Sequence, residues 1–205
     1  MIDIKYLSDT NIFIKLYHAY IDSTELCEDY VKKYTVLGFT EPVHHEIQRT
    51  PNIHYDKKTS IIDLYEQLSE QYKIIYIDDL DELSRRTYIQ EMNNFGYLDY
   101  TGKTQPEEDI GEKATLLISH LLDIPIIHTD DFNFIDYVEA NRNKFPDAKL
   151  ITLNTVLQSL ITDDQERIKV NANIEKNSNQ YNNKFEEYEM ERKLKQLERK
   201  YSKHK

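Results

Sequence analysis

Ile4-Lys5-Tyr6-Leu7-Ser8-Asp9-Thr10-Asn11-Ile12-Phe13-Ile14 is the stretch whose reading decides the fold. A short apolar run centred on Tyr6-Leu7 ends on a carboxylate and passes at once into apolar positions at helical spacing. Ile12, Leu16 and Tyr20 recur every four residues, and Phe13 and Tyr17 follow the same step. This reads as a buried strand feeding a helix, with Ser8 or Thr10 available as the helix cap. Ligands of open α/β sheets bind just outside the carboxyl ends of the strands, so Asp9 is expected where chemistry sits. The competing reading is that Asp9 merely caps the helix.

The alternation continues outward from that stretch. Residues 23–34 predict a helix with Leu26, Tyr30 and Val31 on one face, and residues 35–40 a strand. Glu41-Pro42-Val43-His44-His45-Glu46-Ile47 follows as a helix, Thr40 being able to cap it and Pro42 suiting its first turn. Ile61, Leu64, Tyr65 and Leu68 mark a further helix, residues 73–77 a strand, and residues 79–95 a helix. Pro125-Ile126-Ile127-His128-Thr129 is the most apolar strand, followed by a helix over 132–141, a strand over 149–153 and a helix over 154–161. Such a βα series implies a three-layer α/β/α sandwich with a central parallel sheet over residues 1–161. Three of the four glycines fall between Gly96 and Gly111, predicting a long flexible loop. Residues 162–183 are polar and asparagine-rich without periodicity, which reads as a linker. Residues 184–205 read as a charged C-terminal helix in which Met190, Leu194, Leu197 and Tyr201 follow a 4-3-4 step.

Charge is unevenly spread. The net charge is −11, which argues against binding nucleic acid through a bulk positive field. Residues 181–205 nevertheless hold eight Lys and Arg against five Glu, a net +3, leaving −14 over residues 1–180. An acidic body suits divalent cations or a basic partner. Cys27 is the one cysteine, so no internal disulfide and no Cys-x-x-Cys pair can form. Residues 1–5 lack a basic segment followed by an apolar core, and no apolar run nears the roughly 20 residues of a membrane span. A reduced, cytoplasmic protein is expected, with no membrane contact.

The acids at element junctions form the candidate site. Asp9 ends the first strand, Glu46 lies in the turns after the second, Asp109 and Glu112 stand three apart at a helix start, and Asp130 and Asp131 end a strand. One parallel sheet edge can gather them, and carboxylates so gathered repel unless protonated or neutralised by a cation. Oxygen-only ligands suit Mg²⁺ or Mn²⁺. Asp109 competes with Glu112, and Asp130 with Asp131, for the ligand roles. Asn11 and Thr129 are candidates to orient the carboxylates by hydrogen bonding. Lys57-Lys58, Arg85-Arg86 and the tail are candidate contacts for a nucleic-acid backbone. His44-His45 and His54 read as structural or solvated rather than as zinc ligands, since adjacent helical residues diverge by about 100°.

Ser8-Asp9-Thr10-Asn11-Ile12-Phe13-Ile14, then Glu46, then Gly111-Glu112-Lys113-Ala114, then Thr129-Asp130-Asp131-Phe132 resemble, in that order, the motifs of the PIN-domain family of metal-dependent ribonucleases. The resemblance spans residues 4–160. It implies a Mg²⁺- or Mn²⁺-dependent endoribonuclease in which Asp9, Glu46, Glu112 and Asp131 are catalytic and RNA is the substrate. Many members are toxins of toxin–antitoxin pairs, which implies an antitoxin or other protein partner, met here through the C-terminal helix, and by analogy a homodimer. Gly111-Glu112 resembles a variant of the commoner helix-start aspartate found in a subset of the family. The two departures are that Asp109 competes with Glu112 for the third acid role and Asp130 with Asp131 for the fourth, and that the body is lengthened by residues 79–111. The rival readings are a catalytically silent interaction module acting through its tail helix and an aspartyl-nucleophile phosphatase. The phosphatase needs an acid two residues after Asp9, where Asn11 stands.

Overall fold

A computed structural model of the chain describes residues 3–51, 59–104 and 107–202. The elements run β1 (Tyr6–Ser8), α1 (Thr10–Tyr17), α2 (Glu25–Lys33), β2 (Leu37–Thr40), α3 (Glu41–Arg49), α4 (Ile61–Gln67), β3 (Tyr72–Ile75), α5 (Glu82–Asn94), α6 (Ile110–Leu121), β4 (Ile126–His128), α7 (Phe132–Ala140), β5 (Lys149–Ile151), α8 (Leu153–Leu160) and α9 (Asp164–Ser202). All described strand pairings are parallel, in the order β3-β2-β1-β4-β5. The strands are three or four residues long; the central ones are largely buried, whereas the edge strands β3 and β5 are partly exposed.

The chain starts in the middle of the sheet, builds outward through β2 to β3, then returns to the other side of β1 to add β4 and β5. The direction of building reverses between β1 and β4, and parallel sheets of this kind open a crevice there, at the carboxyl ends. Registers fix the two lips of that crevice: Ser8 is level with His128, and the Asp9 amide donates to the His128 carbonyl at 2.9 Å.

Helices cover both faces, consistent with a three-layer α/β/α sandwich. On one face Phe39 of β2 meets Phe13, Leu16, Tyr30, Ile47, Tyr65, Val156 and Leu157 in a single core to which α1, α2, α3, α4 and α8 contribute. On the other, Leu7, Ile75 and Ile127 of the sheet meet Tyr88 and Met92 of α5, Ala114 and Ile118 of α6, and Phe134 and Val138 of α7. Alternation along β1, with Leu7 to one core and Tyr6 to the other, is what a two-sided sheet requires. Among the described residues, no helix is long and apolar enough to cross a membrane.

Two expectations need correction. Residues 162–183, expected as a linker, enter a continuous helix at Asp164, 39 residues long, or roughly 58 Å at 1.5 Å per residue. Val170, Ile174, Asn177 and Tyr181 follow a 4-3-4 step and are all buried against the body. The stripe is hard to see because one of its positions is polar: Asn177 donates to the His18 carbonyl at 2.7 Å. Beyond Tyr181 the helix leaves the body, and Tyr188, Met190 and Leu194 are exposed. The glycine-bearing loop is also better tied than expected. Asp99 accepts from the Thr101 and Thr104 hydroxyls, Tyr88 donates to the Tyr100 carbonyl, and Arg49 of α3 donates to the Gly102 carbonyl.

Candidate metal centre

Asp9 occupies the position before α1 yet makes no capping hydrogen bond to it. Its carboxylate is 1% exposed. Asn11 and Thr129 both donate to Oδ2, each at 3.2 Å, while Oδ1 is buried without a partner. Thr129 reaches Asp9 because β4 is level with β1. Its hydroxyl also accepts from the Asp131 amide at 3.2 Å, joining the two lips of the crevice.

Glu46 comes from α3, which follows β2 directly. Thr10, the first residue of α1, donates to Glu46 Oε2 at 2.5 Å. Thr10 is thus a tether between α1 and α3 rather than a helix cap, a role that nothing in the local sequence marks. Gly111 lets α6 approach: a Cβ there would stand 2.8 Å from Glu46 Oε2 and 3.2 Å from Val43 Cγ2. The Gly-Glu pair therefore has a steric reason. Glycine admits the Glu46 carboxylate, and the next residue, Glu112, is delivered to the same place. Glu112 is 8% exposed and its Oε2 is buried without a partner.

Asp9, Glu46 and Glu112 are electrostatic neighbours. Burial pushes all three carboxyls well above the usual carboxylate range, Glu46 to about 7. The field of Glu46 adds to the effect on Asp9, that of Glu112 to the effect on Glu46, and that of Asp9 to the effect on Glu112. Each thus holds its proton, or a positive charge in its place, more tightly than a carboxyl in water.

The remaining acids divide. Asp131 caps α7, its Oδ1 accepting from the Phe134 amide at 2.8 Å, and its charge bears on Glu112. Asp130 turns outward to Lys15, 2.7 Å from Nζ, and accepts from the Leu153 amide at 3.2 Å. Its two oxygens are spent on holding α1 and α8. Asp109 sits exposed in the left-handed region at φ 59°, on the rim, where its charge bears on both Glu46 and Glu112. Of the first competing pair, then, Glu112 is buried in the cluster and Asp109 exposed beside it; of the second, Asp131 reaches Glu112 through its charge while Asp130 is engaged with Lys15.

Beneath Asp9 lies a second polar layer that the sequence does not announce. Ser8 donates to the Asp9 carbonyl at 3.0 Å, Tyr30 donates to Ser8 at 3.0 Å, and the His128 Nδ1 lies 2.8 Å from the Tyr30 hydroxyl. With Tyr30 donating to Ser8, His128 Nδ1 must be the protonated nitrogen. Burial holds the imidazole neutral, its pKa lowered to about 4, which permits that tautomer. Only the period of β4, placing His128 on the same side as Tyr6, hints at it.

Other candidates fall outside the cluster. His44 is buried against Tyr65, its Nδ1 3.2 Å from the hydroxyl, and burial lowers its pKa to about 4, as a structural histidine. Arg85 and Arg86 are paired with Asp78 and Glu82 on the surface. Lys57-Lys58 and His54 lie outside the described residues.

No family model matches the chain, and no curated protein and no solved structure matches it. What the site can do therefore rests on its own chemistry. The donor set is all oxygen, it comes from three separate elements, and two of its oxygens are buried with no protein donor. These features fit a small hard cation such as Mg²⁺ or Mn²⁺. As the side chains stand, no three His, Cys, Asp or Glu among the described residues are at ligating spacing.

Proposed function

We propose that the chain is a Mg²⁺- or Mn²⁺-dependent endoribonuclease with its site at the β1–β4 crevice. One observation carries the reading: Asp9, Glu46 and Glu112 are brought from distant parts of the sequence to one buried place, and two of their oxygens have no protein partner. A fold has no stabilising use for such a cluster, because unpaired buried carboxyls cost stability. The ordered resemblance of the surrounding motifs to PIN-domain ribonucleases supports the choice of reaction.

Asp9, Glu46 and Glu112 would hold the ion, with Asp131 adding negative field. A bound divalent cation supplies a water of lowered pKa and neutralises charge developing on a phosphodiester. The protein's own part is orientation. Asn11 and Thr129 hold Oδ2 of Asp9 and leave the buried Oδ1 without a protein partner. Thr10 fixes the Glu46 carboxylate, and Ser8, backed by Tyr30 and His128, fixes the main chain at Asp9. The buried Cys27 thiol suits a reducing compartment, and a cytoplasmic site of action belongs to the same proposal.

Titration calorimetry with Mn²⁺ and cleavage of end-labelled RNA test the reading together. Wild type is expected to bind Mn²⁺ and cleave RNA only in its presence; Asp9→Asn is expected to keep the circular dichroism spectrum and lose cleavage. Cleavage unchanged in Asp9→Asn would overturn the assignment. A second reading, a silent module that binds a protein, is favoured by one observation, the exposed Met190 and Leu194 on the projecting part of α9. An absence of Mn²⁺ binding in wild type would select it.

A further inference from the structure

We propose that Phe132 is a stacking platform for an unpaired base of the nucleic-acid strand held at the carboxylate cluster; the inference rests on the ribonuclease reading and names how its substrate is gripped. Phe132 is the first residue of α7 and is 75% exposed. The helix does not need it as an anchor, because Phe134 and Val138 already fasten α7 to the core at 3% and 0% exposure. An aromatic ring left in water at a helix start is therefore without a structural role. Its neighbour in the chain is Asp131, whose charge reaches Glu112.

The ring borders an open depression whose other walls are Asn11, Lys15, Asp130, Asp131 and Asn133. Asn11 is the residue that donates to Asp9, so the depression and the cluster share a wall. Lys15 is the cation that lines it, paired with Asp130 yet 30% exposed. An apolar plane and two amides within one depression match the face and the polar edge of a base; Lys15 is paired with Asp130, and Asp131 adds a second carboxylate, so the match is to the base and not to a phosphate. Stacking on an aromatic face is open to any base, but only to one not already stacked in a duplex. The expected consequence is a preference for single strands without strong preference for sequence at that position.

The chain contains no tryptophan, so Phe132→Trp introduces a fluorophore that reports on this place alone. The full-length variant is titrated, in Ca²⁺ rather than Mn²⁺, with a short mixed-sequence single-stranded RNA and with the same sequence as a blunt duplex. Quenching by the single strand and not by the duplex is expected. Phe132→Ala is expected to raise KM for single-stranded RNA about tenfold, within the range of one lost stacking contact, with kcat and Mn²⁺ affinity little changed and KM restored by Phe132→Tyr. Absent quenching together with an unchanged KM in Phe132→Ala overturns the proposal, whatever else binds the ring. The two readings fail separately. Quenching by a single strand in a protein that never cleaves RNA would sink the ribonuclease and leave the platform standing. Cleavage indifferent to Phe132 would do the reverse.

Discussion

Replacing Glu46 by Gln should stabilise the cation-free protein at pH 8, against the usual expectation for a change in a packed site. Free in an unfolded chain the carboxyl titrates near 4.5, and in the fold burial beside Glu112 raises it to about 7. Below pH 4.5 both states hold the proton and Glu46 adds nothing to pH dependence. Between 4.5 and 7 the unfolded chain releases the proton and the folded one keeps it, so stability falls as pH rises. Over that window the loss is about 3 kcal/mol at 1.36 kcal/mol for each unit of pKa, a large part of a typical stability of 5–15 kcal/mol. Above pH 7 the loss is complete and the curve flattens.

Gln removes the titration and keeps an oxygen to accept from Thr10. It also removes one of the charges that raise Asp9. Urea denaturation in EDTA across pH 4.5 to 8.5 should therefore give curves that coincide at the acid end and separate by about 3 kcal/mol at pH 8, Gln above wild type. On the proposed reading Mn²⁺ should reverse the order, wild type gaining the binding energy of the ion and the variant gaining less. A wild-type stability independent of pH in EDTA, or a Gln variant less stable at pH 8, would show that Glu46 is charged and solvated in the folded protein.

Gly111→Ala, which in an ordinary helix interior adds about 0.5–1 kcal/mol, should here lower stability by about 1–3 kcal/mol, because the new Cβ falls 2.8 Å from Glu46 Oε2; the melting temperature checks the sign. Tyr30→Phe should cost about 1–3 kcal/mol by leaving Ser8 and His128 without their buried partner, read by urea unfolding, while Mn²⁺ still binds. Asp130→Asn should leave Mn²⁺ affinity within about twofold of wild type by calorimetry, its carboxylate being engaged with Lys15 rather than with the cluster. Ending the chain at residue 163 should destabilise the body, since it uncovers the core that Val170 and Ile174 close; ending it at residue 183 should not.

How far the sequence carries depends on whether a feature is written in local pattern or in distance. The strand at Tyr6-Leu7, the Pro42 helix start and the buried run at Ile126-Ile127 are local, so periodicity and turn chemistry were enough to place them. The parallel sheet then followed from alternation alone. Asp9 and Glu46 could be nominated because each stands just past a strand. The choice of Glu112 over Asp109 could not be made that way. It depends on which side of α6 meets α3, and Gly111 permits that approach because its missing side chain leaves room for Glu46 and Val43, both far earlier in the chain.

Thr10 and Tyr30 were illegible for a similar reason. Each carries a hydroxyl whose partner, Glu46 or His128, is named only by the completed sheet. The reading of 162–183 as a linker failed on a different point. Apolar periodicity is masked there, because α9 spends one of its four stripe positions on Asn177 to satisfy the carbonyl of His18 at the end of α1. A helix terminus leaves carbonyls that need donors, and the segment that covers such a terminus will carry a polar residue among its apolar ones. Where a polar tract follows a compact domain, a 4-3-4 step should therefore be sought with one Asn or Gln allowed in it. Asn177→Leu tests the point here: it keeps the stripe apolar but strands the His18 carbonyl, and it should lower stability by about 1–3 kcal/mol rather than raise it. A more stable variant would mean that burial of α9, and not the satisfied carbonyl, decides how the helix sits.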